Sequence, residues 1–220
     1  MAYRLLLRMG WTVHHKRVQR LRREEGLQRT SPRKRKRGRP AVGSVSRHRA
    51  QHPRQAWAMD FKFDTTADCC RLKCLNVVDE HSRLCLAILV SSRCKAKDVV
   101  EVLEYLTSLY TATAFIRLDN EPAFIAQALR LWCEASGTSS TTYIEPGSPW
   151  ENGFSVSFSG QFRDGFLNTE LFTTAPGTQI LANRWRWEYN SLRPHSTLQG
   201  VTPLEAAQQG AAAWPQPPLS

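Results

Sequence analysis

The sequence predicts an α/β fold, a mixed sheet with flanking helices preceded by a small basic helical segment. Three observations predict it. A meander of three apolar segments over residues 56–90 gives way to alternating helix-like and strand-like segments that run to Pro194. Apolar residues make up 41% of the 220, enough for a core, which excludes wholesale disorder. The charge is divided: residues 1–54 hold 17 of the 30 Lys and Arg and only Glu24 and Glu25 as acids, a net +15, whereas the other 166 residues carry −4. That division predicts two modules, the first built to meet a polyanion, either nucleic acid or an anionic membrane. No stretch of 18 apolar residues is present to span a bilayer, and no secretory signal is visible.

The elements follow in order. Residues 2–9 read as a short helix and Gly10-Trp11 as a turn. A second helix begins near Val13, with Val18 and Leu21 on one face and Lys16, Arg17, Arg20 and Arg23 on the others; Gly26 ends it. Helix, turn and basic helix form the outline of a helix-turn-helix, or of an amphipathic basic helix on any surface. Residues 31–40, SPRKRKRGRP, repel themselves into an extended tether, in which Arg33, Lys34, Arg35, Lys36, Arg37 and Arg39 neutralise phosphates without reading sequence.

Beyond Ala56, WAMDFKF reads as a strand. LKCLNVVD and LCLAILV form a second and third, paired through a turn at His81–Arg83. Val99, Val102, Leu103, Leu106 and Leu109 have helical spacing. Phe115 to Leu118 is a short strand. Residues 122–137 form a helix closed by Gly137, and residues 141–147 hold another short strand. A helix follows Ser148-Pro149, and a last one, from Ile180, ends near Pro194. The predicted organisation is a truncated helix-turn-helix over 1–30, a basic linker over 31–54, a core over 55–206 and a Pro- and Ala-rich tail over 207–220.

Six cysteines without CxxC spacing read as small core residues in a reducing compartment. Zinc at the adjacent His14 and His15 is the alternative, and it lacks a nearby cysteine pair. Two carboxylates stand out. Asp60 sits inside the first strand, where an apolar residue is expected. Asp119 follows a later strand, where α/β sheets present ligands. On neighbouring strands the two would converge and bind hard cations, and paired ions drive phosphoryl transfer. A strand-end cap at Asp119 and a buried salt bridge at Asp60 are the plainer roles.

The segments HHKRVQRLRREEGLQ (14–28), DF (60–61), LNVVDEHSRLCLAI (75–88), RLDNEPAF (117–124), YIEPGSPWENGF (143–154) and YNSLRPHSTLQGVTPLEA (189–206) occur in one order. Together they resemble the transposases of bacterial insertion sequences in the retroviral-integrase superfamily, specifically the second-frame product of the large frameshifting insertion-sequence family. The resemblance implies a ribonuclease-H-like core with an Asp-Asp-Glu triad that uses Mg2+ or Mn2+ to cut and join DNA. It also implies DNA partners at transposon ends and target, and a homo-oligomer or an assembly with the first-frame product. The implied location is the bacterial cytoplasm, at the nucleoid.

Carried over by position, Asp60 matches the first Asp and Asp119 the second. The family's Glu follows the WENG segment, and its place is held here by Val156, with 36 residues between it and Asp119. Valine cannot ligate a cation, so metal binding and catalysis are expected to be impaired and enzyme activity is in question. Departures also occur at Glu121-Pro122-Ala123, where the family has Gly-Pro-Glu, and at Ser159, where it has Asn. Glu151 could substitute for the lost carboxylate, although it lies more than one helical turn from Val156. Glu151, Asn152, Arg193 and His195 are candidate auxiliary residues, His195 alternatively a packing histidine. The alternative function is a non-catalytic DNA-binding remnant or regulator that competes with active transposase.

Overall fold

The computed structural model describes residues 2–27, 50–110, 113–118, 127–136, 140–143 and 153–209. Strands β1 (Ala56–Thr65), β2 (Arg71–Asp79), β3 (Cys85–Ser91), β4 (Phe115–Leu118) and β5 (Ser140–Tyr143) form one sheet in the order β3-β2-β1-β4-β5. The meander β1-β2-β3 is antiparallel, and β4 and β5 add in parallel. The sheet is therefore mixed, as the sequence predicts. The turn between β2 and β3 is set by Asp79, whose carboxylate accepts from Ser82 N–H at 2.8 Å and Ser82 Oγ–H at 2.6 Å on one oxygen. Its other oxygen accepts from Arg54 N–H at 2.8 Å.

Alternation along the strands builds two apolar layers. Trp57, Met59, Phe61, Leu75 and Val77 face α3 (Ala96–Tyr110) and α4 (Gln127–Ala135), meeting Val99, Leu103, Leu106, Leu129 and Cys133. Leu72, Cys74, Val78, Cys85, Ile88 and Val90 face the opposite layer. A register shift at Val77/Val78 lets Cys85 join Ile88 and Val90 on that side. The second layer comprises α5 (Gly153–Phe162), a π-helical turn (Arg163–Leu167) and α6 (Ala175–Ser191). The π turn, closed by Asn168 N–H to Arg163 O at 2.9 Å, brings both Phe166 and Leu167 inside. Phe158, Phe162, Phe166, Trp185 and Tyr189 stack there at centroid distances of 5.1–6.2 Å.

Helix α6 also closes the sheet's edge. Gln179 donates to Ile88 O at 2.8 Å and accepts from Val90 N–H at 2.7 Å. Arg186 donates to Leu86 O at 2.6 Å. These side chains satisfy the outer backbone groups of β3, which would otherwise template pairing with another chain.

One helix start is corrected. Helix α6 starts at Ala175, not Ile180, because Thr174 caps it by accepting from Gly177 N–H at 3.2 Å. Leu21 is exposed, and only Val18 is buried on α2 (His15–Glu24). Ala50 and Pro53, ahead of β1, are buried. At the other end α7 (Pro203–Gln209) carries helix past 206. Helix α1 (Ala2–Arg8) buries no residue of its own and is tied to α7 by a bidentate Arg8–Glu205 pair, 2.6 and 3.0 Å. Gly137 and residues 122–126 lie outside the described residues.

Candidate functional site

The site grows from the middle of β1. Asp60 and Lys62 are two residues apart in a strand, so the pleat sends both side chains to the α5 side. Lys62 Nζ lies 2.6 Å from Asp60 Oδ2, and the two side chains are only 24% and 12% exposed. The same oxygen accepts a hydrogen bond from Ser159 Oγ on α5. Asn76 of β2 stands opposite Asp60 in the antiparallel register. Its amide is buried, and neither of its polar atoms has a hydrogen-bond partner among the described residues. Ser155 Oγ, one turn before Ser159, is likewise buried without a partner among them.

Val156 is placed by the same helix. Ser155, Phe158, Ser159 and Phe162 form the buried stripe of α5, the serines toward β1 and the phenylalanines toward α6. At 100° per residue Val156 is offset about 60° from Ser159, on the serine flank away from the aromatics. It is 53% exposed. An exposed β-branched residue on a helix flank gains little from packing and lowers helix propensity. The position suits a polar side chain better than it suits valine.

Parallel pairing of β1 with β4 sets Ala58 against Arg117. Asp60 and Asp119 each come two residues later in the chain, but Asp119 lies outside the described residues. Arg117 Nε is 2.6 Å from Glu80 Oε1, and the Glu80 side chain is wholly buried at the end of β2. Burial pushes the Glu80 carboxyl above its ordinary range, and Arg117 and Arg83 pull it down. Burial likewise raises Asp79, opposed by its bonds from Ser82 and Arg54. Asp79 thus supports the turn and the sheet, and sequence reasoning misses Glu80. It misses Lys62 and Ser159 too, although the two-residue spacing of Asp60 and Lys62 in an alternating strand is a usable signal.

Of the auxiliary candidates, His195 is half-buried. Its Nδ1 is 2.9 Å from Thr197 Oγ1 and its Nε2 is 3.4 Å from Gln161 Nε2. Burial lowers its pKa, and Arg83 and Arg193 add to the effect. Arg193 lies with its guanidinium 5.9 Å from the Tyr189 ring. Both residues lie in the loop that joins α6 to α7. Glu151 and Asn152 lie outside the described residues. So do Arg33, Lys34, Arg35, Lys36, Arg37 and Arg39. Lys16, Arg17, Arg20 and Arg23 are all exposed on α2. His14 caps that helix, accepting from Lys16 N–H at 3.3 Å, and His15 meets Tyr3 edge-on.

The described part of the site does not fit a divalent cation. Among the described residues no three His, Cys, Asp or Glu side chains converge. The donors beside Asp60 are a hydroxyl, an amide and an ammonium, whereas Mg2+ is held by carboxylate and water oxygens.

A mixed five-stranded sheet with helices on both faces, and an acid in the middle of its first strand, define an integrase-type core. Solved structures share this fold. The simian T-cell lymphotropic virus intasome chain aligns with TM-score 0.59 and 17% identity over 77% of this chain and 59% of its own. The HTLV-2 integrase catalytic core in complex with magnesium gives 0.52 and 16% over 71% and 98%. The BIV integrase catalytic core gives 0.53 and 21% over 70% and 94%. Residues 50–149 and residues 138–203 each match a family described as an integrase core domain. The uncharacterized 39.2 kDa protein of insertion element IS476 from Xanthomonas euvesicatoria is 34% identical over 197 residues. The uncharacterized 31.7 kDa protein of IS407 from Burkholderia multivorans is 33% identical over 208 residues. The chain spans 56% of the former's length and 74% of the latter's. It belongs to the insertion-sequence transposases with an integrase-type catalytic core.

Proposed function

We propose that this chain is a DNA-transposition protein that keeps the integrase fold and its affinity for DNA while its metal-dependent strand cleavage and transfer are impaired. The observation that carries the reading is the exposed Val156 on α5, one turn before the serine that touches Asp60. At the place where the family carries its third acid, an apolar side chain faces solvent. Asp60 and Asp119 remain as the catalytic and metal-binding pair, with Mg2+ or Mn2+ the metal, weakly held. The reading is supported by the parallel pairing of β1 with β4, in which Ala58 stands opposite Arg117, each two residues before one of these acids in the chain. One carboxylate fewer weakens the binding of the ion.

The DNA partners are the element's ends and its target, met by the exposed cations of α2 and by the 33–39 cluster. Assembly is with further copies or with the first-frame product, in the bacterial cytoplasm at the nucleoid. Among the described residues no helix is long and apolar enough to cross a membrane.

The test is plasmid nicking in Mn2+ by the full chain beside an Asp60→Asn control, with mobility-shift binding measured on the same proteins. Both are expected to bind DNA and to nick at the same background rate. Nicking by the parent that Asp60→Asn abolishes would overturn the impairment. Absence of DNA binding at low salt would overturn the DNA-handling role.

A further inference from the structure

We infer that the Lys62 ammonium is the resident cation of the Asp60 site, an internal replacement for the metal ion, so that Val156 is one of two residues that weaken metal binding. This deepens the reading above and rests on it. Lys62 Nζ and Ser159 Oγ–H both occupy Asp60 Oδ2, the ammonium at 2.6 Å. Each oxygen of an ionised carboxylate offers about two lone pairs, and those of Oδ2 are both engaged, which leaves Oδ1 alone to meet another cation. Lys62 is not a solvated strand residue that swings past an acid. Its side chain is 24% exposed, and strand geometry fixes it on the face of Asp60. A partly buried contact of this length is a charge-assisted bond, screened far less than a surface pair.

The surrounding charge favours the same conclusion. Directly across the strand pair is Asn76, neutral and buried, and along α5 are the serines 155 and 159. Asp60 and Lys62 therefore cancel, and Asp64, two residues beyond Lys62 on the same face of β1, is the next described acid along it. A divalent ion approaching Asp60 would have to displace the ammonium and then sit near it, with like-charge repulsion at a few ångströms. Restoring an acid at 156 leaves that repulsion in place. The ion pair has a second effect: it holds the fold at a carboxylate that would otherwise need a metal to balance it, so the parent's stability does not depend on metal.

The experiment measures Mn2+ binding calorimetrically, without DNA, on the full chain in four forms: parent, Val156→Glu, Lys62→Met, and the double variant. The double variant is expected to bind Mn2+ at least about tenfold more tightly than Val156→Glu alone. If Val156→Glu alone binds as tightly as the double variant, the ammonium excludes nothing and the inference falls, while the role given to position 156 survives. If Lys62→Met changes Mn2+ affinity in neither background, the inference falls as well. Melting supplies a readout independent of affinity. The parent's melting temperature is expected to be unmoved by Mn2+, whereas Lys62→Met melts lower and recovers when Mn2+ is added. A parent that Mn2+ stabilises as much as the variant would overturn the proposal. Lys62→Gln, which keeps a polar side chain, carries the same comparisons should the methionine variant fail to fold.

Discussion

Asn190 completes Cys85 as a neighbouring strand would: its Oδ1 accepts from Cys85 N–H and its Nδ2 donates to Cys85 O, both at 2.9 Å. A helix side chain thus closes the edge of β3. Asn190→Ala leaves both backbone groups without their partner, which costs about 1–3 kcal/mol. Asn190→Asp keeps the shape but loses the donor and sets a carboxylate against Cys85 O, so it should cost at least as much. Urea denaturation of the two variants checks this. A midpoint unchanged in both would mean that water replaces the amide freely and that the edge is not closed by α6.

Glu80 and Arg117 form the buried ion pair that ties the end of β2 to β4, two residues ahead of Asp119 in the chain. Glu80→Ala removes the carboxylate from an Arg117 side chain that is 11% exposed, and breaking a buried pair from one side costs about 3–5 kcal/mol. Glu80→Gln keeps an acceptor and should cost less. Chemical denaturation of both variants gives the comparison. Equal stability of Glu80→Ala and the parent would mean that the pair has no structural weight.

The alternating strands were legible because each β1 and β2 side chain reports its layer directly, as Trp57 and Met59 do against Asp60 and Lys62. Helix α3 was legible from its apolar spacing. The start of α6 was not. Ala175-Pro176-Gly177 reads as a loop, and only the Thr174 cap turns it into a first turn. The polar stripe of Gln179, Arg186 and Asn190 reads as a solvated face, since nothing local says that a strand edge lies beneath it. Helix α7 is too short for periodicity to show, and the π turn has no sequence signature of its own. At the site, Asp60 stood out as an acid inside an apolar strand. Ser159 lies 99 residues away and meets it only through packing of α5 on β1.

The tie between α1 and α7 predicts an acid-side dependence. The hydrogen bond from Arg8 holds Glu205 down from 4.5 to about 2, with Thr202 adding to it. A depressed carboxylate contributes stability above its unfolded pKa and loses it as pH falls through the folded one. The contribution is therefore full above pH 4.5 and fades toward pH 2. The Arg8 and Glu205 side chains are more than a third exposed, so screening limits the effect to at most about 1 kcal/mol. Glu205→Gln should melt slightly below the parent at pH 6, and the difference should close as the pH approaches 2. Trp11, which is exposed and follows α1, reports detachment by fluorescence. A difference that widens toward acid would contradict this assignment.

Neutralising the linker tests how the basic module meets DNA. Replacing Arg33, Lys34, Arg35, Lys36 and Arg37 with Gln should weaken binding similarly for element-end and unrelated duplexes. The slope of log K against log salt should fall by up to about 4–5, roughly one unit for each phosphate no longer neutralised. Fluorescence anisotropy across a salt series measures both. An unchanged slope would remove the linker from the DNA interface and leave the cations of α2 to carry it.

The cysteines give a prediction on the alkaline side. Burial pushes Cys74 and Cys85 up to about 12, and Cys94 and Cys133 to about 11. Cys69 and Cys70, in the β1–β2 turn, are exposed. The thiolate is the reactive form, so at pH 8 an aromatic disulfide reagent should titrate two thiols quickly and the other four only after unfolding. Raised folded pKa values also make these groups favour the fold below the unfolded value of 9.0 and cease to do so as pH climbs through 11 to 12. Stability should therefore decline from pH 9 upward, and Cys85→Ser should change that decline as well as the midpoint at neutral pH. Rapid reaction of three or more thiols in the native chain would place a cysteine of one of the two apolar layers at the surface, against the packing of the helices on the sheet.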